Sequence, residues 1–78
     1  MLTNLDLRDN HVAGEFKGKH FFVEGEFSSG FLMYSDAFYW GIYGESERHE
    51  EDTQKVLQVL QCVVEEGKKR NYLFHIGR

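Results

Sequence analysis

The chain has 78 residues, of which 41% are apolar and 15% are aromatic. Thirteen acidic side chains outnumber nine basic ones, and the formal net charge is -4 with histidine neutral. This composition predicts one folded domain over residues 1–78, and its acidic balance argues against general nucleic-acid binding, which needs cationic contacts to phosphate.

The single cysteine, Cys62, has no partner for an internal disulfide. No apolar run approaches the roughly 20 residues of a membrane span. The first residues also lack the basic and apolar regions of a secretory signal. We therefore expect a cytoplasmic protein that does not associate with membranes.

Apolar and polar residues alternate through most of the sequence before Asp52, at the period of β-strands. Short stretches centred on Asn10, Gly18 and Gly30 contain the residue types that favour turns. The segments predicted as strands in this part of the chain are TNLDLR, HVAGEF, HFFVEGEF, FLMYS and AFYWGIY.

The period changes between Asp52 and Glu66, where apolar residues recur three and four positions apart. This predicts an amphipathic helix, with Asp52 available to cap its start and Gly67 its end. The segment NYLFHI then predicts a final strand. The whole pattern predicts an α+β fold, an antiparallel β-meander of about five to six strands with one amphipathic helix packed on one face.

No residue pattern indicates catalysis, a bound metal or a cofactor. The four histidines, at positions 11, 20, 49 and 75, lack the spacing of metal ligands. Cys62 falls late in the predicted helix, near acidic residues that do not activate a thiol. Glu24 and Glu26 project from one face of a strand, and such a pair can perform acid–base chemistry. Because lysines lie nearby and no pocket is evident, solvated carboxylates or contacts to a basic partner are favoured instead.

Residues 38–52, FYWGIYGESERHEED, join an aromatic stretch to an acidic one. Strand alternation predicts that the residues facing the core are Phe38, Trp40 and Ile42. Tyr39 and Tyr43 then project outward, and tyrosine is enriched at protein interfaces. The acids that follow can complement the positive start of the helix or face a partner, and the two roles are compatible.

A VEGE strand (Val23 to Glu26), an F-x-x-Y strand (Phe31 to Tyr34), Trp40 and an acidic lead into the helix follow in this order. With these features, residues 12–78 resemble a family of bacterial polymorphic-toxin immunity proteins, the seventy-fourth in the immunity-protein series. The resemblance implies a small cytoplasmic inhibitor that binds a cognate toxin and performs no catalysis. Many such toxins attack nucleic acid and are basic, so it also implies a basic partner.

The preferred hypothesis from the sequence is therefore a binding protein, not an enzyme, for a basic protein toxin. The alternative is a domain that self-associates as a homodimer through exposed aromatics or an edge strand. Nucleic-acid binding and a small hydrolase are less favoured. The residues predicted to contact the partner are Glu24, Glu26, Tyr39, Tyr43, Glu45, Glu47 and Glu50.

Overall fold

A computed structural model describes residues 1–45 and 48–77 of the chain. The elements occur in the order β1 (Leu2–Leu7), β2 (His11–Phe16), β3 (Lys19–Phe27), β4 (Phe31–Trp40), β5 (Arg48–His49), α1 (Thr53–Lys69) and β6 (Phe74–Gly77). The strands form one six-stranded sheet, and the helix packs against it. The predicted α+β fold, with a meander and one helix on one face, is confirmed.

The sheet is a five-stranded antiparallel meander to which β6 is added in parallel. Strands β1 to β5 are hydrogen-bonded in chain order, each antiparallel to the next. Strand β6 pairs in parallel with the first part of β4, residues 31–34, while β5 pairs with the last two residues of β4. A parallel neighbour needs a long connection, and α1 supplies it between β4 and β6.

The core lies between α1 and one face of the sheet. Val12, Val23 and Phe38 are paired across β2, β3 and β4, and all three are fully buried. The buried residues that α1 contributes are Val56, Val59, Leu60, Val63 and Gly67. Because side chains alternate along a strand, the residues next to the core positions occupy the opposite face, which we call the outer face.

The helix begins where the sequence predicts and ends later than it predicts. The Asp52 side chain accepts hydrogen bonds from the backbone N–H groups of Gln54 and Lys55 and so caps the start. Gly67 was expected to end the helix, but it lies buried inside it. The left-handed residue beyond the end is Asn71, with φ 64°. The N–H of Asn71 donates to the carbonyl of Lys68, and the next N–H donates to the carbonyl of Gly67, which is a Schellman motif.

Strand β4 also differs from its sequence prediction. The segments FLMYS and AFYWGIY were predicted as separate strands, yet residues 31–40 form one strand with a register shift of three residues against β3. The strand ends at Trp40 because Gly41, at φ 127°, turns the chain away. Ile42 is therefore 47% exposed, and its predicted place in the core is wrong.

Candidate functional site

An aromatic cluster covers the centre of the outer face. Phe22 lies at its middle and is only 3% exposed, although α1 is on the other side of the sheet. Tyr39 stacks on Phe22 from the next strand, with ring centroids 4.9 Å apart, and Tyr43 meets it edge to face at 5.1 Å. Tyr43 reaches this position because the segment after Gly41 folds back over the outer face. The cluster thus buries an aromatic that strand alternation places among polar residues.

His11 completes the cluster by stacking on Tyr43 and by a hydrogen bond to Asn10, which in turn is hydrogen-bonded to Tyr43. Its ring is parallel to that of Tyr43, with centroids 3.7 Å apart. His11 Nδ1 lies 2.8 Å from Asn10 Oδ1, and the Asn10 amide nitrogen donates to the Tyr43 hydroxyl at 3.1 Å. Since Asn10 Oδ1 can only accept, Nδ1 carries the proton of this hydrogen bond. Asn10 therefore links the two stacked rings.

The environment of His11 lowers its pKa below the ordinary value of 6.5. Burial is the main cause, because it disfavours the charged imidazolium, and the charge of Arg8 adds to this effect. Asp6 and Glu24 act in the opposite direction. His11 is consequently neutral near pH 7.

The two tyrosines predicted to contact a partner both lie in this cluster. Tyr39 is half-buried between Phe22 and His49, and Tyr43 is 41% exposed. Each packs one face of its ring against the protein, Tyr39 on Phe22 and Tyr43 on His11, and remains partly accessible. That combination suits tyrosine at an interface, where the ring can be buried while the hydroxyl keeps a hydrogen bond.

Two of the predicted acids lie near the cluster. Glu24 is half-buried on β3 and pairs in register with His11 on β2. Glu45 is exposed in the turn that follows Tyr43, and its N–H donates to the carbonyl of Ile42. Together they place negative charge beside the accessible tyrosines.

Glu26 lies further along β3 and is engaged with Tyr34. A hydrogen bond from the Tyr34 hydroxyl to this carboxylate, together with burial and the negative charge, raises the pKa of Tyr34. Glu26 is exposed and is the neighbour of Leu32 in the β3–β4 register. It therefore extends the acidic surface toward the far end of β3 rather than joining the aromatic cluster.

Glu50 has an internal role that the sequence does not reveal. Its carboxylate accepts hydrogen bonds from the Trp40 indole N–H at 3.1 Å and from the Asp52 backbone N–H at 3.2 Å. The Lys55 ammonium lies 3.6 Å away. These contacts lower the pKa of Glu50, with the hydrogen bond from Trp40 as the largest cause. The side chain fastens the segment before α1 to the end of β4, and Glu47, also predicted to contact the partner, lies outside the described residues.

Sequence reasoning missed three residues of this site, namely Asn10, His11 and Phe22. The pattern places them on or beside the outer face, but it does not show that Tyr43 folds over them. The one available signal was Gly41, which can end a strand. Because the sequence offers no strand for the segment after Gly41 to pair with, the direction of that segment could not be predicted.

Other kinds of site find little support in the part of the chain that is described. Within residues 1–45 and 48–77, no three histidine, cysteine, aspartate or glutamate side chains converge as metal ligands. In the same ranges, α1 is too short and too polar to cross a bilayer. Cys62 is a free, half-buried thiol packed beside the core.

The outer face thus offers a half-exposed aromatic cluster next to carboxylates, held in place by contacts among residues far apart in sequence. Such a surface can form apolar contacts and attract positive charge. The chain matches no protein-family model, no curated protein and no solved structure.

Proposed function

We propose that the protein is a non-catalytic, cytoplasmic binding protein that holds a basic protein partner on its outer face. The most specific version of this proposal is that the protein is an immunity protein that binds and neutralises a cognate toxin, as the family resemblance implies. The observation that carries the proposal is the accessible pair Tyr39 and Tyr43, ordered on Phe22 and His11 and flanked by Glu24 and Glu45.

The order of the aromatic cluster supports binding because it reduces the entropy lost on association. Tyr43 is fixed by stacking on His11 and by the hydrogen bond from Asn10 before any partner arrives. A side chain that is already immobile saves about 0.5–1.5 kcal/mol that an unrestrained side chain loses on binding. Pre-positioned tyrosines of this kind are frequent among residues that dominate binding energy.

The charge distribution supports a basic partner. Glu24 and Glu45 lie beside the tyrosines, and the whole chain carries a net charge of -4. Carboxylates at the edge of an interface mainly increase the association rate of a positively charged partner, and this increase falls as salt screens it. An aromatic centre with an acidic border would therefore combine fast encounter with slow dissociation.

The test is affinity capture from the native host with the wild-type protein and three variants in parallel. Tyr39→Ala should abolish most recovery of the partner, while Glu24→Lys should slow association at low ionic strength. Gln61→Ala, on the exposed side of α1, is the matched control and should recover the partner fully. The recovered protein must be basic, and its expression alone must harm cells that lack this chain. Equal recovery by all variants would overturn the assignment of the outer face.

A second candidate function, self-association, is favoured by a different surface. Phe27 and Leu73 are 59% and 57% exposed, and Tyr72 is 42% exposed. The ring of Phe27 meets Phe31 edge to face, so this exposed aromatic continues the core to the end of the sheet. An accessible extension of the core is suited to pairing with a second copy.

Light scattering on the purified protein separates the two candidates. A monomer at all concentrations tested would exclude the homodimer. A dimer that Leu73→Ser and Phe27→Ser convert to monomer, with Tyr39→Ala unchanged, would assign self-association to this surface and leave the outer face available for the partner.

A further inference from the structure

A groove of about 930 Å³ crosses the outer face beside Tyr43. Its lining comes from β1, β2 and β3 and from the segment of residues 41–43. On β2, the small side chain of Ala13 lies between the outward-facing His11 and Glu15, which deepens the groove at this point. Tyr43 is the one lining residue that the sequence predicted to contact a partner.

The charges along the groove are mostly negative. Asp6, Asp9 and Glu15 contribute carboxylates, and Arg8 contributes a guanidinium. Arg8 is bound by Asp6, with 2.8 Å between Nε and Oδ2. Carboxylates therefore outnumber guanidinium groups in the groove, which disfavours phosphate and other anions as occupants.

A bulge in β1 positions one of these carboxylates. The register between β1 and β2 shifts by one residue between Thr3 and Asp6, and Asn4 adopts φ 55°. The Asn4 amide nitrogen then donates to Glu15 Oε2 at 2.7 Å. Glu15 is half-buried and is held in a defined orientation. Its other close contact is His20, whose Nδ1 lies 3.9 Å from Oε2 and offsets the carboxylate charge only when the imidazole is protonated.

His11 adds a buried acceptor to the same groove. The residue is 8% exposed, and its Nδ1 is committed to Asn10. Within residues 1–45 and 48–77, no donor is hydrogen-bonded to its Nε2. In the neutral ring this nitrogen holds a lone pair, and buried polar atoms normally have a hydrogen-bond partner. The groove thus combines a buried acceptor with carboxylates and the edge of an aromatic ring.

We propose that this groove receives a lysine or arginine side chain of the basic protein partner. The inference rests on the proposed function, since it specifies where that partner places a cationic group. An ammonium or guanidinium group brings only donors, which complement the carboxylates of Asp6 and Glu15 and the Nε2 acceptor of His11. Tyr43 lines the same groove and is 41% exposed, so its ring is available for a further cation–π contact.

The test is an NMR titration of the isotope-labelled protein with hexa-arginine peptide. Saturable shifts should concentrate on residues 4–15 and 41–43, and the Nε2 resonance of His11 should move in the direction of hydrogen-bond acceptance. The double substitution Asp6→Asn with Glu15→Gln keeps side-chain size and should weaken binding about ten-fold. Shifts spread evenly over all acidic surfaces would overturn the proposal.

A charge-matched control separates a specific groove from general attraction. Glu51→Gln with Glu65→Gln also removes two negative charges, both from exposed positions outside the groove. This variant should bind the peptide within about two-fold of the wild type. Equal weakening in the two double variants would contradict the proposal, because peptide binding would then depend on net charge alone.

The full partner distinguishes failure of this inference from failure of the proposed function. If the captured partner binds the Asp6→Asn, Glu15→Gln variant as tightly as the wild type while Tyr39→Ala abolishes binding, the outer face is an interface and the groove is not the cation site. If Tyr39→Ala also binds normally, the proposed function fails with it. The inference is supported if the groove variant binds the partner about ten-fold more weakly while the Glu51→Gln, Glu65→Gln control stays within about two-fold of the wild type.

Discussion

The ring of Tyr43 lies flat on the imidazole of His11, with planes 5° from parallel and centroids 3.7 Å apart. These residues are 32 positions apart, and Tyr43 lies in a loop between Gly41 and Gly44, both at positive φ. A loop with two such residues loses much conformational entropy on ordering. The stacked pair and the hydrogen bond from Asn10 supply the contacts that offset this loss.

Replacing Tyr43 should separate the contribution of the ring from that of the hydroxyl. Tyr43→Ala removes the stack and the contact to Phe22, and we expect it to lower the free energy of unfolding by about 1–2 kcal/mol. Tyr43→Phe keeps the ring and removes only the acceptor for Asn10, so about 0.5–1 kcal/mol should be lost. Urea denaturation measures both values. An alanine variant as stable as the phenylalanine variant would mean that the stack contributes nothing.

The lowered pKa of His11 predicts a stability that falls in mild acid. Above pH 6.5 the residue is neutral in both states, so the folded state is not penalised. Below this value the unfolded chain binds a proton that the folded chain resists, and stability decreases until the pH reaches the lower folded pKa. Unfolding free energies measured from about pH 8 to about pH 5.5 should show this decrease.

His11→Phe provides the control for the pH dependence. Phenylalanine can still stack on Tyr43 but binds no proton, so the decrease in this range should be smaller than in the wild type. Burial is the main cause of the lowered pKa, and the charges of Arg8, Asp6 and Glu24, which modify it, all remain in the variant. Identical slopes for the two proteins would show that another group causes the decrease.

Glu50 gives a prediction for stronger acid. Because its folded pKa lies below the ordinary 4.5, the stabilisation from this carboxylate is complete above pH 4.5 and is lost as the pH falls through the folded value. Glu50→Gln should flatten the acid part of the stability curve. Fluorescence of Trp40, the single tryptophan, should shift with pH in the wild type and less in the variant, since the indole N–H donates to this side chain. Equal shifts in the two proteins would separate Trp40 from the titration of Glu50.

Local patterns in the sequence were sufficient to predict most of the fold. Alternation placed Val12, Val23 and Phe38 on the core face, and a change of period located α1. The β2–β3 turn was also predicted from Gly18, and it is a two-residue loop in which Lys17 and Gly18 both have positive φ. These features depend on residues close together in the chain, which is why the sequence reveals them.

Features that depend on distant contacts could not be predicted. β6 could have joined the sheet in either direction, and its parallel pairing with β4 is decided by how α1 packs. The candidate site has the same limitation. Tyr39 was predicted to face outward, but the stack of Tyr43 on His11 forms only after the chain turns at Gly41. The acids before α1 looked equivalent in the sequence, yet Glu50 is bound to Trp40 while Glu45 is exposed.

Gly67 was expected to end the helix, but its structural role is set by a contact with Phe74 on another element. This contact gives the last prediction. A Cβ added at this position would lie 2.3 Å from Cδ2 and 2.5 Å from Cε2 of Phe74. Alanine is favoured over glycine in a helix by about 1 kcal/mol, whereas overpacking a core costs about 1–3 kcal/mol. Because both contacts are to one buried ring, which is 4% exposed, the steric cost should prevail. We therefore expect Gly67→Ala to destabilise the protein.

The measurement is a double-mutant cycle by urea denaturation. In a Phe74→Leu background the ring is absent, so Gly67→Ala should cost less and approach the gain expected from helix propensity alone. Gln61→Ala, at an exposed position of α1, serves as the control and should change stability by less than about 0.5 kcal/mol. If Gly67→Ala were at least as stable as the wild type, the glycine would not be needed for the approach of Phe74. A cost that is the same in both backgrounds would assign the effect to another contact of Gly67, with the Tyr72 carbonyl 3.3 Å from the added Cβ as the nearest alternative.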